Sequence, residues 1–171
     1  MKFHRLLVIA FLAICASSVA LATTATANMA VSSNVPQSCI LSTSALSFGA
    51  YDPIVTNATT PLDQTATLTV TCSVDTAAKI TLGQGSNAGT GSTDAAPLRR
   101  LKDTDGDHFM NYNLYTLTDH ATVWGNTDST AVAYTGSGVS TSVTVFGRVA
   151  AGQNLLAVNG YTDTIVVTIT F

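Results

Sequence analysis

Glutamate is missing altogether. Every one of the ten acidic side chains in the 171 residues is aspartate, and charged residues of both signs make up only 10% of the chain. Straight-chain helix formers are correspondingly scarce while β-branched residues abound, so the intrinsic preferences run to strands. Basic residues are few as well. Past the first two dozen positions only Lys79, Arg99, Arg100, Lys102 and Arg148 remain to face the aspartates, which excludes the basic footprint that a nucleic-acid binder needs. No apolar run approaches the ~20 residues of a membrane span.

What the start of the chain does have is the pattern of an export signal. Met1-Lys2-Phe3-His4-Arg5 is a short cationic flank, Leu6 to Cys15 an apolar core, and Ala16 to Ala22 a run of small residues. Two small-x-small sites follow. Ala20-Leu21-Ala22 would release Thr23, and Ala25-Thr26-Ala27 would release Asn28; the first directly follows the apolar core and is preferred. The expected organisation is therefore a signal peptide over 1–22, an arm over 23–37 and one domain over 38–171, a length within the ordinary single-domain range.

Of the three cysteines, Cys15 leaves with the signal peptide. Cys39 and Cys72 are then the one intramolecular pair open to an oxidising compartment. Closing a loop of about 33 residues contributes roughly 3 to 4 kcal/mol in the chain-entropy model. Two free thiols are the alternative, whereas a thiol-disulfide catalyst would need the Cys-x-x-Cys spacing that is absent.

Period-two alternation recurs along the rest of the chain. In the arm, Ala25, Ala27, Met29, Val31, Ser33 and Val35 share one face, with Met29, Val31 and Val35 its strongest apolar members. Such a segment is a strand that can bury that face only against something else. Leu46-Ser47-Phe48 is a short strand candidate, Asn57 to Pro61 a loop, and Thr65 to Cys72 a clear strand. Ala78, Ile80 and Leu82 repeat the pattern, and Gly83 to Thr93 reads as a loop with no core residue. Tyr112 with Leu114, Val132 with Tyr134, and Val139 to Gly147 follow, and Gly152 to Gly160 is a turn or loose strand. The most periodic segment is the last, Tyr161 to Phe171, where Ile165, Val167, Ile169 and Phe171 share a face. A terminal strand of this quality suggests that it is held centrally or by a partner. Short alternating strands between Gly, Ser and Asn turns favour an all-β sandwich over a closed barrel.

Candidate chemistry is thin. Asp103, Asp105 and Asp107 alternate as calcium ligands do, but Gly106 falls at the fourth position instead of the sixth, and Leu114 stands where a bidentate acid belongs. A solvated acidic turn is the simpler reading. His108 and His120 lie in no zinc spacing. Thr135-Gly136-Ser137-Gly138 is not a nucleophile elbow and reads as a flexible turn. Arg99, Arg100 and Lys102 beside the aspartates read as an exposed hairpin of mixed charge. Trp124 reads as core, although with Tyr112, Tyr115 and Tyr134 it could stack on sugars if exposed. No enzyme, cofactor or metal is implied.

The arm and the terminal strand together suit strand addition between chains, in which an extended segment bonds along an open edge and alternate side chains fill pockets. The whole pattern resembles the spore coat protein U domain family, whose members include subunits of archaic chaperone-usher pili. The resemblance rests on Cys39, Leu46-Ser47-Phe48-Gly49 with Tyr51 and Pro53, the Leu68 to Cys72 strand, Leu98-Arg99-Arg100 and Tyr112-Asn113-Leu114-Tyr115. It continues through Val123-Trp124-Gly125, Val145-Phe146-Gly147-Arg148, Ala151-Gly152-Gln153 and Tyr161-Thr162-Asp163-Thr164 to Phe171.

The resemblance implies an incomplete immunoglobulin-like β-sandwich, completed by a donor strand from another chain. It implies a periplasmic chaperone, an outer-membrane usher and neighbouring pilus subunits as partners, and export through the periplasm to the cell surface. Met29, Val31 and Val35 then resemble donor-strand residues, Ile165, Val167, Ile169 and Phe171 a groove-edge strand, and Cys39 with Cys72 the disulfide that staples the domain. The function so implied is a structural subunit of a surface pilus. The alternatives are a secreted spore or cell coat protein with a self-complemented sandwich and, last, a carbohydrate-binding module.

Overall fold

The computed structural model describes residues 22–104, 106–158 and 160–171, and its contacts divide the chain into residues 1–34 and 35–171. The expected signal peptide, all but Ala22, lies outside the described residues. Among the described residues there are strands, turns and no helix, hence no helix long and apolar enough to cross a membrane.

Residues 22–38 form no strand or helix and are exposed throughout, with Ser38 tied to Ser73 by hydrogen bonds in both directions just before β1. Among the described residues of 35–171 nine strands follow: β1 (Cys39–Thr43), β2 (Leu62–Cys72), β3 (Ala77–Leu82), β4 (Arg99–Asp103), β5 (Phe109–Tyr115), β6 (Val132–Thr135), β7 (Thr141–Val149), β8 (Tyr161–Thr162) and β9 (Val167–Thr170). They make a six-stranded sheet in the order β1-β2-β7-β5-β4-β8 and a three-stranded sheet in the order β6-β3-β9. Every pairing among them is antiparallel.

The alternation read from the sequence sets the core. Ala66, Leu68, Val70 and Cys72 of β2, Tyr112 and Leu114 of β5, and Val145 and Val149 of β7 face inward from one sheet. Ile80 and Leu82 of β3 meet them from the other, and Trp124 fills the space between. Trp124 is fully buried, its indole N–H donating to the Ile80 carbonyl at 2.9 Å, which satisfies the one polar atom the ring carries.

Several elements differ from expectation. Leu46-Ser47-Phe48 is not a strand; the segment crosses β7 at Gly147, where an added Cβ would meet Leu46 Cδ1 at 2.7 Å and Phe48 Cζ at 3.0 Å. The two side chains pack where β7 has none, so contact with a glycine replaces ladder pairing. Tyr161 to Phe171 is two strands: β8 pairs with β4, and β9 pairs with β3 in the other sheet. The chain changes sheets between them, which period-two spacing does not register because the inward face is kept. The loop after β3 is pinned, since Arg100 donates to the carbonyls of Asn87 and Ala88 while its guanidinium lies 3.8 Å over the Phe109 ring. Gly136 is no flexible turn either. It is buried, donates to the Thr76 carbonyl and accepts from Asp75 N, with the backbone of Ser73 where a side chain would go.

Candidate functional site

The two sheets are unequal, and the site follows from that. At about 4.8 Å per strand, three strands cover about half the width of six. The inner face of the larger sheet is left without a strand over it beside β9, the terminal strand of its own sheet. A groove of about 190 Å3 runs there, lined by core side chains including Leu68, Leu114, Val145, Ile165 and Val167, with Leu46 and Phe48 along its rim. A second cavity of about 970 Å3 shares Leu46, Phe48 and Leu101 with it and is lined also by Met110, Leu155 and Tyr161. An apolar groove opening onto an unpaired strand edge can accept an extended segment, because the edge offers a row of backbone donors and acceptors.

Polar side chains fix the groove where the chain changes sheets. Asp163 accepts the Tyr112 hydroxyl at 2.7 Å on Oδ2, and on Oδ1 the backbone N–H of Ser86 at 2.9 Å and of Asn87 at 3.2 Å. Burial and the Asp163 carboxylate together push the Tyr112 hydroxyl far above its ordinary range, so Tyr112 stays a donor. Arg99, 1% exposed, lies under the end of β3. Its guanidinium donates to the carbonyls of Leu82 at 2.9 Å, Gly83 at 2.8 Å and Trp124 at 2.7 Å, and to Asn113 Oδ1 at 2.8 Å. Burial lowers its pKa to about 10, against the pull of Tyr112, Asp163 and Tyr115, so it remains charged at neutral pH. Arg99 thus ties β3 of the small sheet to β4 and β5 of the large one.

The exposed hairpin expected for Arg99 is therefore corrected: the side chain is buried, because its guanidinium finds carbonyl acceptors at the end of β3. The available signal was Leu101: Arg99, Leu101 and Asp103 alternate with Arg100 and Lys102, so the face that carries Leu101 carries Arg99 inward as well. Tyr51, which enters the sequence pattern as part of the family resemblance, has a structural role of its own. Its hydroxyl lies between the carbonyls of Asn57 and Ala150 and accepts from Gln153 N at 3.1 Å, holding the segment behind the groove rim to the end of β7.

The expected site residues separate as follows. Ile165 and Val167 line the groove, Ile169 is half-buried against the core, and Phe171 is 51% exposed. Cys39 and Cys72 are joined, and they stand directly opposite in the β1–β2 register. Met29, Val31 and Val35 are exposed at 85 to 86%.

Among its described residues the acidic turn has one buried aspartate. Asp103 is 5% exposed and accepts from His108 Nδ1 at 2.9 Å and from the backbone N–H of His108 and Gly106. Burial opposes its ionisation, and the His108 bonds outweigh that, holding the carboxyl below its usual range. Asp107 instead reaches out to Lys102 at 3.0 Å, and Asp105 lies outside the described residues. Among the described residues no three His, Cys, Asp or Glu gather as a metal site would require. His120 packs edge-on between Tyr115 and Phe146, with Asp63 at 3.8 Å, so the two histidines lie in separate surroundings. With Trp124 buried and the Tyr112 hydroxyl engaged, those two rings form no exposed stacking platform.

A chain 41% identical over 162 residues, 91% of this chain and 90% of its own length, is Protein U of Myxococcus xanthus. Among solved structures, a chain of the CsuC–CsuE chaperone–tip adhesion subunit pre-assembly complex, from the archaic chaperone-usher Csu pili of Acinetobacter baumannii, superposes with a TM-score of 0.57 at 18% identity. The likeness covers 80% of this chain and 40% of that one, and it shows a shared fold. The model of the Spore Coat Protein U domain matches residues 25–168, and the chain belongs to that family.

Proposed function

We propose that this chain is a structural subunit of a cell-surface pilus, assembled by chaperone-usher donor-strand exchange. The observation that carries the reading is the core groove along the free edge of β9, in a chain whose 22–38 segment is exposed and alternates small and apolar residues on one face. A periplasmic chaperone would fill the groove first, an outer-membrane usher would exchange its strand, and the arm of a neighbouring subunit would complete the sandwich. Export by the expected signal peptide precedes these steps. The role is mechanical and asks for no catalytic residue or cofactor. If about four arm side chains are buried at ~1.5 to 3 kcal/mol each, the gross gain is roughly 6 to 12 kcal/mol before ordering costs.

The test compares the exported full chain with a version lacking residues 23–37 after the signal. The full chain should polymerise, and the deletion should stay monomeric while still capturing a chaperone. Two equally stable monomers, neither polymerising nor binding a chaperone, would sink the reading.

A second reading is favoured by the family itself, described as a spore coat domain: a coat protein whose own arm closes the groove. An arm folded into its own groove, in a chain that stays monomeric before deposition, would support it.

A further inference from the structure

Asp163 is the one charged side chain among the described residues lining the groove. Its Oδ1 is occupied by Ser86 and Asn87, whereas Oδ2 accepts the Tyr112 hydroxyl and retains a lone pair for one more donor. The inward row of the arm, Ala25 to Val35, likewise carries one hydroxyl, at Ser33. Placing Ser33 on Asp163 in an antiparallel ladder sets Val31 on Ile165, Met29 on Val167, Ala27 on Ile169 and Ala25 on Phe171. Large arm residues then fall on the groove-lining positions, and the smallest fall where the groove has ended. Val35, two residues past Ser33, reaches the larger cavity near Tyr161, and Pro36 ends the ladder where no further N–H is needed.

The opposite direction fails on the same residues. A parallel arm with Ser33 on Asp163 would set Gln37 on Val167 and Cys39 on Ile169, yet Cys39 is already bonded to Cys72 in β1. In this register the antiparallel arm cannot come from the same chain either. Cys39 stands opposite Cys72 at one end of β2, while β8 is reached across β7, β5 and β4 beyond the Leu62 end. From Cys72 to Leu62 alone is about 34 Å of strand, and the four residues from Val35 to Cys39 extend at most about 14 Å.

Resting on the donor-strand reading, we propose that the occupant of the groove is residues 25–33 of a second copy of this chain, antiparallel to β9, with Ser33 seated on Asp163 as the residue that sets the register. The chain is thereby a subunit that can follow itself in a homopolymer.

The test places cysteines on the outward face, where packing is undisturbed, in the full chain recovered from cells that export and assemble it. Ala30→Cys with Val166→Cys lies directly opposite in this register. Ala30→Cys with Thr164→Cys or with Thr168→Cys is offset by two residues, about 7 Å and too far for a disulfide. Non-reducing electrophoresis should show an intermolecular ladder about ten-fold stronger for the 166 pair than for either offset pair, and Ser33→Asp should suppress that ladder. A dominant ladder at 164 or 168 overturns the register and leaves donor-strand exchange standing. An intramolecular 30–166 bond without a ladder overturns the second copy. Absence of any cross-link at all three pairs in a chain that still polymerises overturns the inference alone, and absence in a chain that also fails to polymerise overturns it together with the donor-strand reading.

Discussion

The two ends of this chain carry the same period-two signal and meet opposite fates. Residues 25–35 and 161–171 both alternate, yet the first has no pairing and full exposure, whereas the second is bonded into two sheets. Alternation fixes which side chains share a face; it does not supply the neighbour. The terminal segment has one, since β3 offers Lys79 to Leu82 for pairing and Asp163 anchors the turn between sheets. The arm's apolar face is weaker by comparison, so its order depends on what it meets.

The contrast can be broken most strongly at the root of the arm. Replacing Cys39 and Cys72 by alanine frees β1 and should lower stability by about 3 to 4 kcal/mol, read as a lower denaturant midpoint, with reductant giving the same shift in the parent chain. Next comes the anchor of the other end. Arg99→Met leaves the carbonyls of Leu82, Gly83 and Trp124 without their donor and should cost about 3 kcal/mol, or about 10 °C of Tm for a chain of this length.

Single truncations sharpen the comparison. Ile169→Ala, half-buried against the core, should cost about 1 to 2 kcal/mol in the isolated chain, less than a fully buried truncation. Met29→Ala should change that stability by under about 0.5 kcal/mol while reducing polymer yield; equal losses of stability from the two would mean that the arm is already docked. The smallest effect concerns acid. Asp103 has a folded-state pKa below its unfolded value, so its contribution is present above about pH 4 and is lost as pH falls through the folded value. Asp103→Asn should flatten that limb of a pH–Tm profile, and an unchanged limb would assign acid loss to other carboxylates.

Much of the fold was legible because strands announce themselves by period. β2, β3, β5 and β7 fall where Leu68, Ile80, Leu114 and Val145 alternate with polar neighbours. What was not legible lies where a local rule is overridden by a distant contact. Leu46 and Phe48 look like a strand and behave as a strap because Gly147 leaves room for them. Asp163 looks like a turn residue and holds two other segments, and only the paired geometry of Tyr112 with Ser86 and Asn87 reveals it. Of the candidate site, Ile165 and Val167 were legible as one face. The groove they line was not, because its opening depends on the unequal widths of two sheets that no local window contains.

The position of the disulfide also sets a path for force. Cys39 is the first residue of β1, an edge strand of only five residues, and it is bonded straight across to Cys72 at the end of β2. Tension applied through the preceding residues therefore does not peel β1 off hydrogen bond by hydrogen bond. It enters the large sheet covalently at an eleven-residue strand that is paired on both sides, where many bonds resist together in shear. A domain joined to its neighbours through residues 22–38 would thus carry load through its longest strand and keep the short edge strand β1 out of the line of pull.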